Sequence, residues 1–457
     1  MYEKYLAEID RQAEMLCGVS DALWDHPESA YKEYYASDLL TQKLEENGFT
    51  VVRGVSDIPT AFTATYGSGK PHFGILAEYD ALEGMSQVGA SAVRESIPGK
   101  DCGHGCGHNL FAGGSLAAAL AVKAYIEEKG CGCVTLFGCP AEEGGGGKIY
   151  MARDGLFSDI DSVVSWHPEK MNMVRTRPAL ATRHAEYTFK GVASHAGANP
   201  QAGRSALDAV ELMNVGANFL REHMDLSCRI HYAILDAGGD APNMVQSHAK
   251  VLYYVRATDS VSAQALTERV NKIAQGAALM TETEVSINIP SGYANLITIP
   301  TLQATANESM HDVPLPVPTE EEKKFAAAMQ ATMELTEEEK KKPAYADTVL
   351  DPVPPKPHGG STDTADVSWC TPTVQMHVAN WVVGTPGHSW QSVSQSRASY
   401  AKRMMLWAGK AVAGTVLRLM EHPELVEQAK KEHAEKTVAG YMCAIPKGAK
   451  PTIPPRP

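Results

Sequence analysis

The chain has 457 residues, which is more than one hydrophobic core usually supports, so two or more domains are expected. It carries 41 Lys and Arg residues against 54 Asp and Glu residues, a net charge of −13 without a long basic cluster, which argues against nucleic acid as a partner. The N-terminus lacks a secretory signal pattern, and no apolar run approaches the roughly 18 to 20 residues that span a bilayer, so a soluble cytoplasmic protein without a membrane partner is expected.

Three apolar runs predict buried strands in the first part of the chain: HFGILAEYD at 72–80, CVTLFGCPAEE at 133–143 and DSVVSWHP at 161–168. A segment rich in alanine and leucine, GGSLAAALAVKAYIEEKG, predicts a helix between the first two strands. Strands that alternate with helices predict a largely parallel sheet in an α/β domain. In each run the polar residues stand only at the C-terminal end, which is the edge of such a sheet where ligands bind.

The pattern changes at His184. From there the chain predicts a strand (HAEYTFKG), a helix (SALDAVELMNVGANFLREH), two strands (RIHYAILDAG and AKVLYYVRATD), a helix (SAQALTERVNKIAQGAALM) and a strand (TEVSINIPSGY). The order β-α-β-β-α-β predicts a ferredoxin-like α+β domain over residues 184–293. Because α/β features resume afterwards, we interpret this domain as an insertion between residues 1–183 and 294–457, which form a mixed, largely parallel catalytic domain.

After the insertion, the charged and proline-rich sequence at 315–357 predicts short solvated helices and loops, and not a chemical site. TPTVQMHVANWVVGTPGHSW predicts a strand followed by a loop that contains His388, and SYAKRMMLWAGKAVAGTVLRLM predicts an amphipathic helix. The C-terminal part of the chain therefore adds one imidazole to the loops of the α/β domain.

The predicted strand ends carry acids and an imidazole: Glu78 and Asp80 after the first strand, Glu142 and Glu143 after the second, and His167 after the third. Since the carboxyl ends of parallel strands meet at one edge of a sheet, we expect these side chains to converge. Two adjacent glutamates can divide the work, because one carboxylate can bind a metal ion while the other moves protons.

The GHGCGHN loop adds Cys106 and His108, in a glycine-rich turn whose backbone freedom allows both side chains to face one point. Either residue alone is more simply a buried cysteine or a hydrogen-bonded histidine, but the pair favours metal binding. A zinc finger is the alternative, although the pairs Cys102 with Cys106 and Cys131 with Cys133 match no usual structural spacing. Thiolate, imidazole and carboxylate ligands together suit zinc or manganese.

The segment PAEEGGGGK also resembles a phosphate-binding loop. The pattern G-x-x-x-x-G-K-[ST] requires glycine at position 142 and serine or threonine at position 149, where this chain has Glu142 and Ile149. The segment is therefore not interpreted as a nucleotide site.

Seven segments in order resemble the M20 metallopeptidases, specifically the amidohydrolase branch with the aminobenzoyl-glutamate, indoleacetyl-amino-acid and hippurate hydrolases: AEYDALEG, GHGCGHNLFAGGS, PAEEGGGGK, SWHP, KGVASHAGANPQAGRSALDAV, PNMVQSHAKVLYYVRA and TPGHSW. The resemblance spans nearly the whole chain. It implies a dinuclear metal-dependent amidohydrolase that cleaves N-acyl or N-aroyl amino acids, with p-aminobenzoyl-glutamate as the leading substrate. A dipeptide or an indoleacetyl or other acyl-amino acid is the alternative.

The resemblance also implies roles for single residues. Two divalent ions, zinc or manganese, are expected beside the general base Glu142 at five ligands: Cys106, His108, Glu143, His167 and His388. His195, in the S-H-A-G segment, is expected to polarise the substrate carbonyl, in some relatives from a partner subunit. Asn243 and Arg256 match family positions near the substrate, where a guanidinium suits a carboxylate.

The chain departs from the peptidase branch of the family, which has a His-x-Asp pair where Glu78-Tyr79-Asp80 stands here. We therefore expect Asp80 to support a metal ligand from behind, and we do not expect Glu78 to bind metal. The segment GSTDTADVSW, with Asp363 and Asp366, also resembles this subfamily, and helix capping is the simplest interpretation of its aspartates.

The inserted domain implies a homodimer, again by resemblance. Relatives in this branch can also work as paired subunits, so a weakly active or non-catalytic subunit is the competing hypothesis. Retention of Glu142 beside all five expected ligands favours an enzyme.

Overall fold

The computed structural model describes residues 2–353 and 360–456. In this part of the chain the strands are β1 Thr50–Arg53, β2 Phe62–Ser68, β3 His72–Glu78, β4 Gly132–Cys139, β5 Ser162–Glu169, β6 Asn172–Val174, β7 Ala181–Lys190, β8 Arg229–Asp236, β9 His248–Ala257, β10 Glu284–Tyr293, β11 Val349–Leu350 and β12 Thr373–Ala379. The helices are α1 Glu3–Arg11, α2 Ala13–Asp25, α3 Tyr34–Glu46, α4 His108–Lys129, α5 Gly147–Arg153, α6 Ala206–Leu220, α7 Ser260–Thr281, α8 Pro300–Asp312, α9 Glu320–Gln330, α10 Thr364–Cys370, α11 Trp390–Gln395, α12 Ser399–Glu421 and α13 Pro423–Lys436.

Eight strands form the main sheet, in the order β1-β2-β4-β3-β5-β12-β6-β11. Its centre is parallel, since β3 pairs with β4 and β5, and β5 pairs with β12, in parallel. The edge at β1 and β2 and the pairing of β6 with β12 are antiparallel. The prediction of a mixed, largely parallel sheet is confirmed, and the register places Glu78 level with Cys139 at the carboxyl edge.

Helix α4 is the central helix of the main domain, and its residues from His108 to Val122 are buried. It packs against α12, α1, α2 and β3, and these elements cover the apolar surface of the helix. By length and composition it could cross a membrane, which the sequence analysis did not anticipate, but 89% of its apolar window is buried inside the protein. Its composition is therefore that of a core helix.

Strands β7 to β10 form a separate antiparallel sheet in the order β10-β7-β9-β8, and α6 and α7 pack against it. The predicted order β-α-β-β-α-β is confirmed. The alternation in β7 and β9 buries residues such as Tyr187, Val251 and Tyr253 on the face that the helices cover. Strand β8 is the outer edge of this sheet, and all but one of its residues are exposed.

The remainder of the chain returns to the main domain through α8 and then α9, which begins with a capping box between Thr319 and Glu322. Short helices were predicted in this charged segment, and part of that prediction, residues 354–359, lies outside the described residues. Strand β12 then inserts between β5 and β6 and leads into the loop that carries His388.

Candidate active site

The loop before α4 brings Cys106 and His108 to the carboxyl edge of the sheet. Gly107 between them adopts a left-handed conformation (φ 74°) as the N-cap of α4, a conformation that glycine adopts without strain. The Cys106 Sγ lies 3.4 Å from Nε2 of His167 at the end of β5. Three side chains from two separate segments thus meet at one point.

Three groups of potential metal ligands meet at this edge, and within each group the ligand atoms lie within 4.8 Å of one another: Cys106, His108 and His167; Cys106, Glu143 and His388; and Glu78, His108 and Glu142. The third group brings Glu78, which was not expected to bind metal, within ligand spacing of His108. Two ligands bound to one ion at roughly 2.0 to 2.3 Å lie at most about 4.6 Å apart, so the spacing approaches what a shared ion needs. The donor set and its spacing fit a pair of divalent cations, with Cys106 and His108 each shared by two of the three groups.

Asp80 supports two of these ligands from behind. Its Oδ1 lies 2.9 Å from Nδ1 of His108, and its Oδ2 accepts a hydrogen bond of 2.9 Å from the backbone N–H of Glu143. Burial opposes ionisation of Asp80, but His108 and the Glu143 N–H outweigh it and lower the pKa of this carboxyl. The hydrogen bond leaves Nε2 of His108 directed to the cluster.

Glu142 lies beside the cluster and lines a cavity with it. Burial, and then the nearby carboxylates of Glu78 and Asp363, raise the pKa of Glu142 well above the usual value of a glutamate. A carboxyl with a raised pKa takes up and holds a proton more readily, which suits a general base. Glu143 differs: burial opposes its ionisation, but the hydrogen bond from His388 and the charges of His108 and His388 together outweigh burial and lower the pKa of this carboxyl.

Backbone strain marks the same region. Ala141, just before the two glutamates, and His388 both adopt left-handed conformations, with φ of 59° and 52°. The N–H of Ala141 donates to the carboxylate of Glu33, which is itself fully buried. Left-handed backbone at residues other than glycine persists where surrounding contacts enforce it, and such positions concentrate at functional sites.

Sequence reasoning missed a buried ion network behind the cluster. The Nζ of Lys148 lies 2.7 Å from Glu78 Oε1 and 2.6 Å from Asp363 Oδ1, and all three side chains are at most 1% exposed. The other oxygen of Glu78 lies 3.1 Å from Nε2 of His108. Asp363 does not cap α10 with its side chain, so the suggested capping role is wrong for this residue. The available signal in the sequence was Lys148, a single lysine among the apolar residues of α5, which indicates a buried charge that needs an acidic partner.

A cavity of about 750 Å³ opens beside the cluster. Its lining includes five of the predicted residues, Cys106, Glu142, Glu143, His167 and His388. The other lining residues were not singled out from the sequence: Glu169, Lys170, Met171, Met173, Arg175, Thr176, Arg177, Gly360, Ser361, Thr362, Gln375 and His377. This volume is typical of a site for a small molecule.

The inserted domain carries the remaining predicted residues. His195 and Asn243 lie on adjoining exposed loops, joined by a hydrogen bond of 2.8 Å from the Ala196 N–H to the Asn243 carbonyl, and neither lines the cavity. Arg256 donates a hydrogen bond of 2.8 Å to the hydroxyl of Ser361, which does line it. The roles of His195, Asn243 and Arg256 stay predictions.

Comparison with known proteins places this geometry in context. The chain matches Peptidase family M20/M25/M40 over residues 74–375. It is 41% identical to the B subunit of p-aminobenzoyl-glutamate hydrolase of Escherichia coli over 97% of both chains, and 32% identical to Xaa-Arg dipeptidase of Mus musculus over 93% of this chain and 90% of that one. A crystal structure of a dinuclear metal-binding peptidase of the M20 family from Bacillus subtilis shares the fold, with a TM-score of 0.58 and 16% identity over 90% of this chain and 99% of that one.

Proposed function

This chain belongs to peptidase family M20/M25/M40 and is a hydrolase, and from that premise we propose that it cleaves the amide bond of N-acyl or N-aroyl amino acids with two divalent cations. One observation carries the proposal: Glu142, with its raised pKa, lines the same cavity as Cys106, Glu143, His167 and His388. The Bacillus subtilis protein of the same fold is a dinuclear metal-binding peptidase, which supports two ions here.

The residues present fit zinc or manganese, since one thiol, three imidazoles and the Glu143 carboxylate are the expected ligands, with the carboxylates of Glu78 and Glu142 also at ligand spacing. Burial raises the pKa of the Cys106 thiol well above its ordinary value, so the thiolate needs a cation beside it. Divalent cations bound here polarise an amide carbonyl and acidify water. His108, whose Nδ1 lies 2.9 Å from Asp80, and His388, whose Nε2 lies 3.1 Å from Glu143, are two of the imidazoles that would hold such ions.

Glu142 performs the proton transfers in this proposal. It takes a proton from the attacking water and then gives it to the nitrogen of the departing amine, so one carboxyl acts as base and acid. Glu143, the next residue in the chain, has a lowered pKa and stays ionised as a ligand.

The leading substrate is p-aminobenzoyl-glutamate, because the relative with 41% identity over nearly the whole chain is named for that activity. The second candidate is a dipeptide that ends in arginine, favoured by the Xaa-Arg dipeptidase that matches 93% of this chain. The two candidates differ in the charge of the departing amino acid, which makes them separable by experiment.

The proposal includes a homodimer. The edge strand β8 and the outer face of α6 expose Tyr232, Ile234, Val215 and Phe219, the last by 64%. A second copy that pairs along this edge would cover these side chains and could carry His195 towards the cavity of its partner. A mixture of inactive Glu142→Gln and His195→Ala chains, exchanged between dimers, is then expected to regain activity. No activity in the mixture contradicts a His195 that acts across the dimer.

The test of the function itself uses the purified full chain loaded with zinc or manganese. We expect release of p-aminobenzoate from p-aminobenzoyl-glutamate, measured by chromatography against hippurate and a dipeptide that ends in arginine. Glu142→Gln is expected to keep its metal, measured by elemental analysis, while kcat falls by about 10²- to 10⁴-fold. Glu169→Gln removes a carboxylate from the same cavity and is expected to lose far less.

A metal-loaded chain that hydrolyses no member of the panel would refute the proposal for the chain alone. Activity that returns only when a second, different chain is added would instead support the paired-subunit hypothesis, which stays open because the Escherichia coli relative is itself named as one subunit of its hydrolase. A Glu142→Gln variant with near-normal turnover would refute the assignment of the base.

A further inference from the structure

Arg175 follows β6 and lines the same cavity as Glu142. Its backbone is held on both sides: its N–H donates to the Gln375 carbonyl at 2.9 Å, and its carbonyl accepts from the Gln303 side chain at 3.0 Å. Its guanidinium donates to the side-chain oxygen of Gln375 at 2.8 Å. The arginine is therefore fixed in place before any ligand arrives, which lowers the entropy lost on binding.

The charge of this arginine is not balanced by a close acid. Within the described residues, no carboxylate lies within the 4.0 Å of an ion pair from Arg175, although Glu142, Glu169 and Glu78 act on it from farther away. Burial lowers the pKa of Arg175 below its usual value, and arginine nevertheless keeps its proton in proteins. A cation in such a setting normally has an anionic partner.

The neighbouring residue supplies an unused polar group. The hydroxyl oxygen of Thr176 is buried, lines the cavity, and has no hydrogen-bond partner in the described part of the chain. Buried hydroxyls are rarely left without a partner, because the loss of solvation is uncompensated. Arg175 and Thr176, adjacent residues that both line the cavity, thus offer it hydrogen-bond donors from a guanidinium and a hydroxyl.

We propose that Arg175 binds a carboxylate of the substrate, with the Thr176 hydroxyl as a further donor, and so selects acyl-amino acids with an acidic departing group. This inference rests on the proposed function, since it takes the amide of the substrate to lie at the metal cluster in the same cavity. A planar guanidinium binds a carboxylate through two parallel hydrogen bonds. A departing arginine would instead place like charges together, which disfavours it.

The test compares p-aminobenzoyl-glutamate with two substrate analogues of the same size. In one analogue the side-chain carboxylate of the glutamate is replaced by an amide, and in the other the α-carboxylate is replaced by an amide. In Arg175→Gln we expect kcat/KM for the diacid to fall by about 10- to 100-fold, mainly through KM. For the amide that lacks the recognised carboxylate the same variant is expected to change kcat/KM little. In Arg175→Gln the preference for the diacid is therefore expected to disappear against only one of the two amides. That amide identifies the substrate carboxylate that Arg175 binds.

Arg177→Gln is the matched control, because it removes the same charge from the same cavity at an exposed position two residues away. We expect it to lower kcat/KM for the diacid by less than about threefold, since exposed charges are screened. The proposal would be overturned if Arg175→Gln lowered kcat/KM equally for the diacid and both amides. It would also be overturned if Arg177→Gln lowered kcat/KM for the diacid as much as Arg175→Gln does.

Further arms keep the proposal testable. If Arg175→Gln does not fold, Arg175→Lys and Thr176→Val are expected to reduce the same acid preference, and an unchanged preference in both overturns it. If the wild-type chain hydrolyses none of the three compounds, the proposed function fails. The role of Arg175 is then tested by calorimetry, which measures the binding of p-aminobenzoyl-glutamate to the wild-type chain and to Arg175→Gln. Weaker binding to Arg175→Gln supports the site, whereas equal binding or no binding to either chain overturns it.

Discussion

Replacing Lys148 with methionine tests the buried ion network most directly. Lys148 lies between Glu78 and Asp363, and none of the three side chains is more than 1% exposed. Methionine keeps most of the volume but removes the charge, so two carboxylates face each other without a cation. Breaking a buried ion pair by removal of one partner destabilises a protein by about 3–5 kcal/mol, because the remaining charge stays desolvated.

The expected change in melting temperature follows from this free energy. At roughly 2.1 cal/mol/K per residue, a main domain of roughly 350 residues has an unfolding entropy of about 0.7 kcal/mol/K. Lys148→Met is then expected to lower Tm by about 4–7 °C. The measurement is scanning calorimetry in a chelating buffer, so that metal binding does not contribute to the stability of either chain.

Lys43→Met is the matched control for this variant. Lys43 forms an ion pair of 2.7 Å with Glu46 on α3, but the side chains are 26% and 47% exposed. An exposed pair of this kind contributes about 0–1 kcal/mol, so Tm is expected to fall by no more than about 1.5 °C. If Lys148→Met melts within about 1.5 °C of this control, the network does not stabilise the fold.

The pH dependence adds a second check on the same variant. Burial raises the pKa of Asp363 from 3.8 to about 6, although Lys148 opposes the rise. A carboxyl whose pKa is higher in the folded state favours folding while it is protonated, and this contribution is lost as pH rises through the folded value. Without Lys148 that pKa lies higher still. The stability deficit of Lys148→Met is therefore expected to grow from pH 6 to pH 8, and a constant deficit would contradict the assigned charges.

Two further outcomes are expected from single substitutions. Cys106→Ala is expected to lower the number of ions bound per chain, measured by elemental analysis, because Cys106 belongs to two of the three ligand groups, and retention of two ions would contradict its role. Gly138→Ala is expected to lower Tm, with a cost of about 1–3 kcal/mol, because the added methyl group would overlap the ring of Phe62 on β2. Gly18→Ala, on α2 with nothing within 4 Å of the added group, is expected to leave Tm unchanged or slightly raised.

The sheet and its carboxyl edge were predictable because the burial of each strand determines the pattern of apolar and charged residues in its local sequence. Strands β3, β4 and β5 are largely buried, so their apolar runs are nearly continuous, and the carboxylates of Glu78, Glu142 and Glu143 stand where the strands end. The inserted domain was predictable for the opposite reason, because β7 and β9 are covered on one face and alternate. Each signal lies within about ten neighbouring residues.

The ion network and the cavity cations were not predictable in this way. Lys148 and Asp363 are far apart in the chain, and nothing in either local sequence states that the other is its partner. Arg175 is one of several arginines in the segment VRTRPALATRH, and only the pairing of β6 with β12 fixes its position beside Gln375. Pairings that depend on the packing of distant segments leave no periodic pattern to detect.

The charge balance at the carboxyl edge favours the binding of added cations there. Five acidic side chains surround it: Glu78, Asp80, Glu142, Glu143 and Asp363. Lys148 offsets Glu78 and Asp363, but in the ranges 2–353 and 360–456 no lysine or arginine forms an ion pair with the other three. Neutrality must then come from protons or from bound metal. Because metal binding supplies positive charge to the folded chain and finds no such cluster in the unfolded one, loading and folding stability are linked, and removal of metal lowers both.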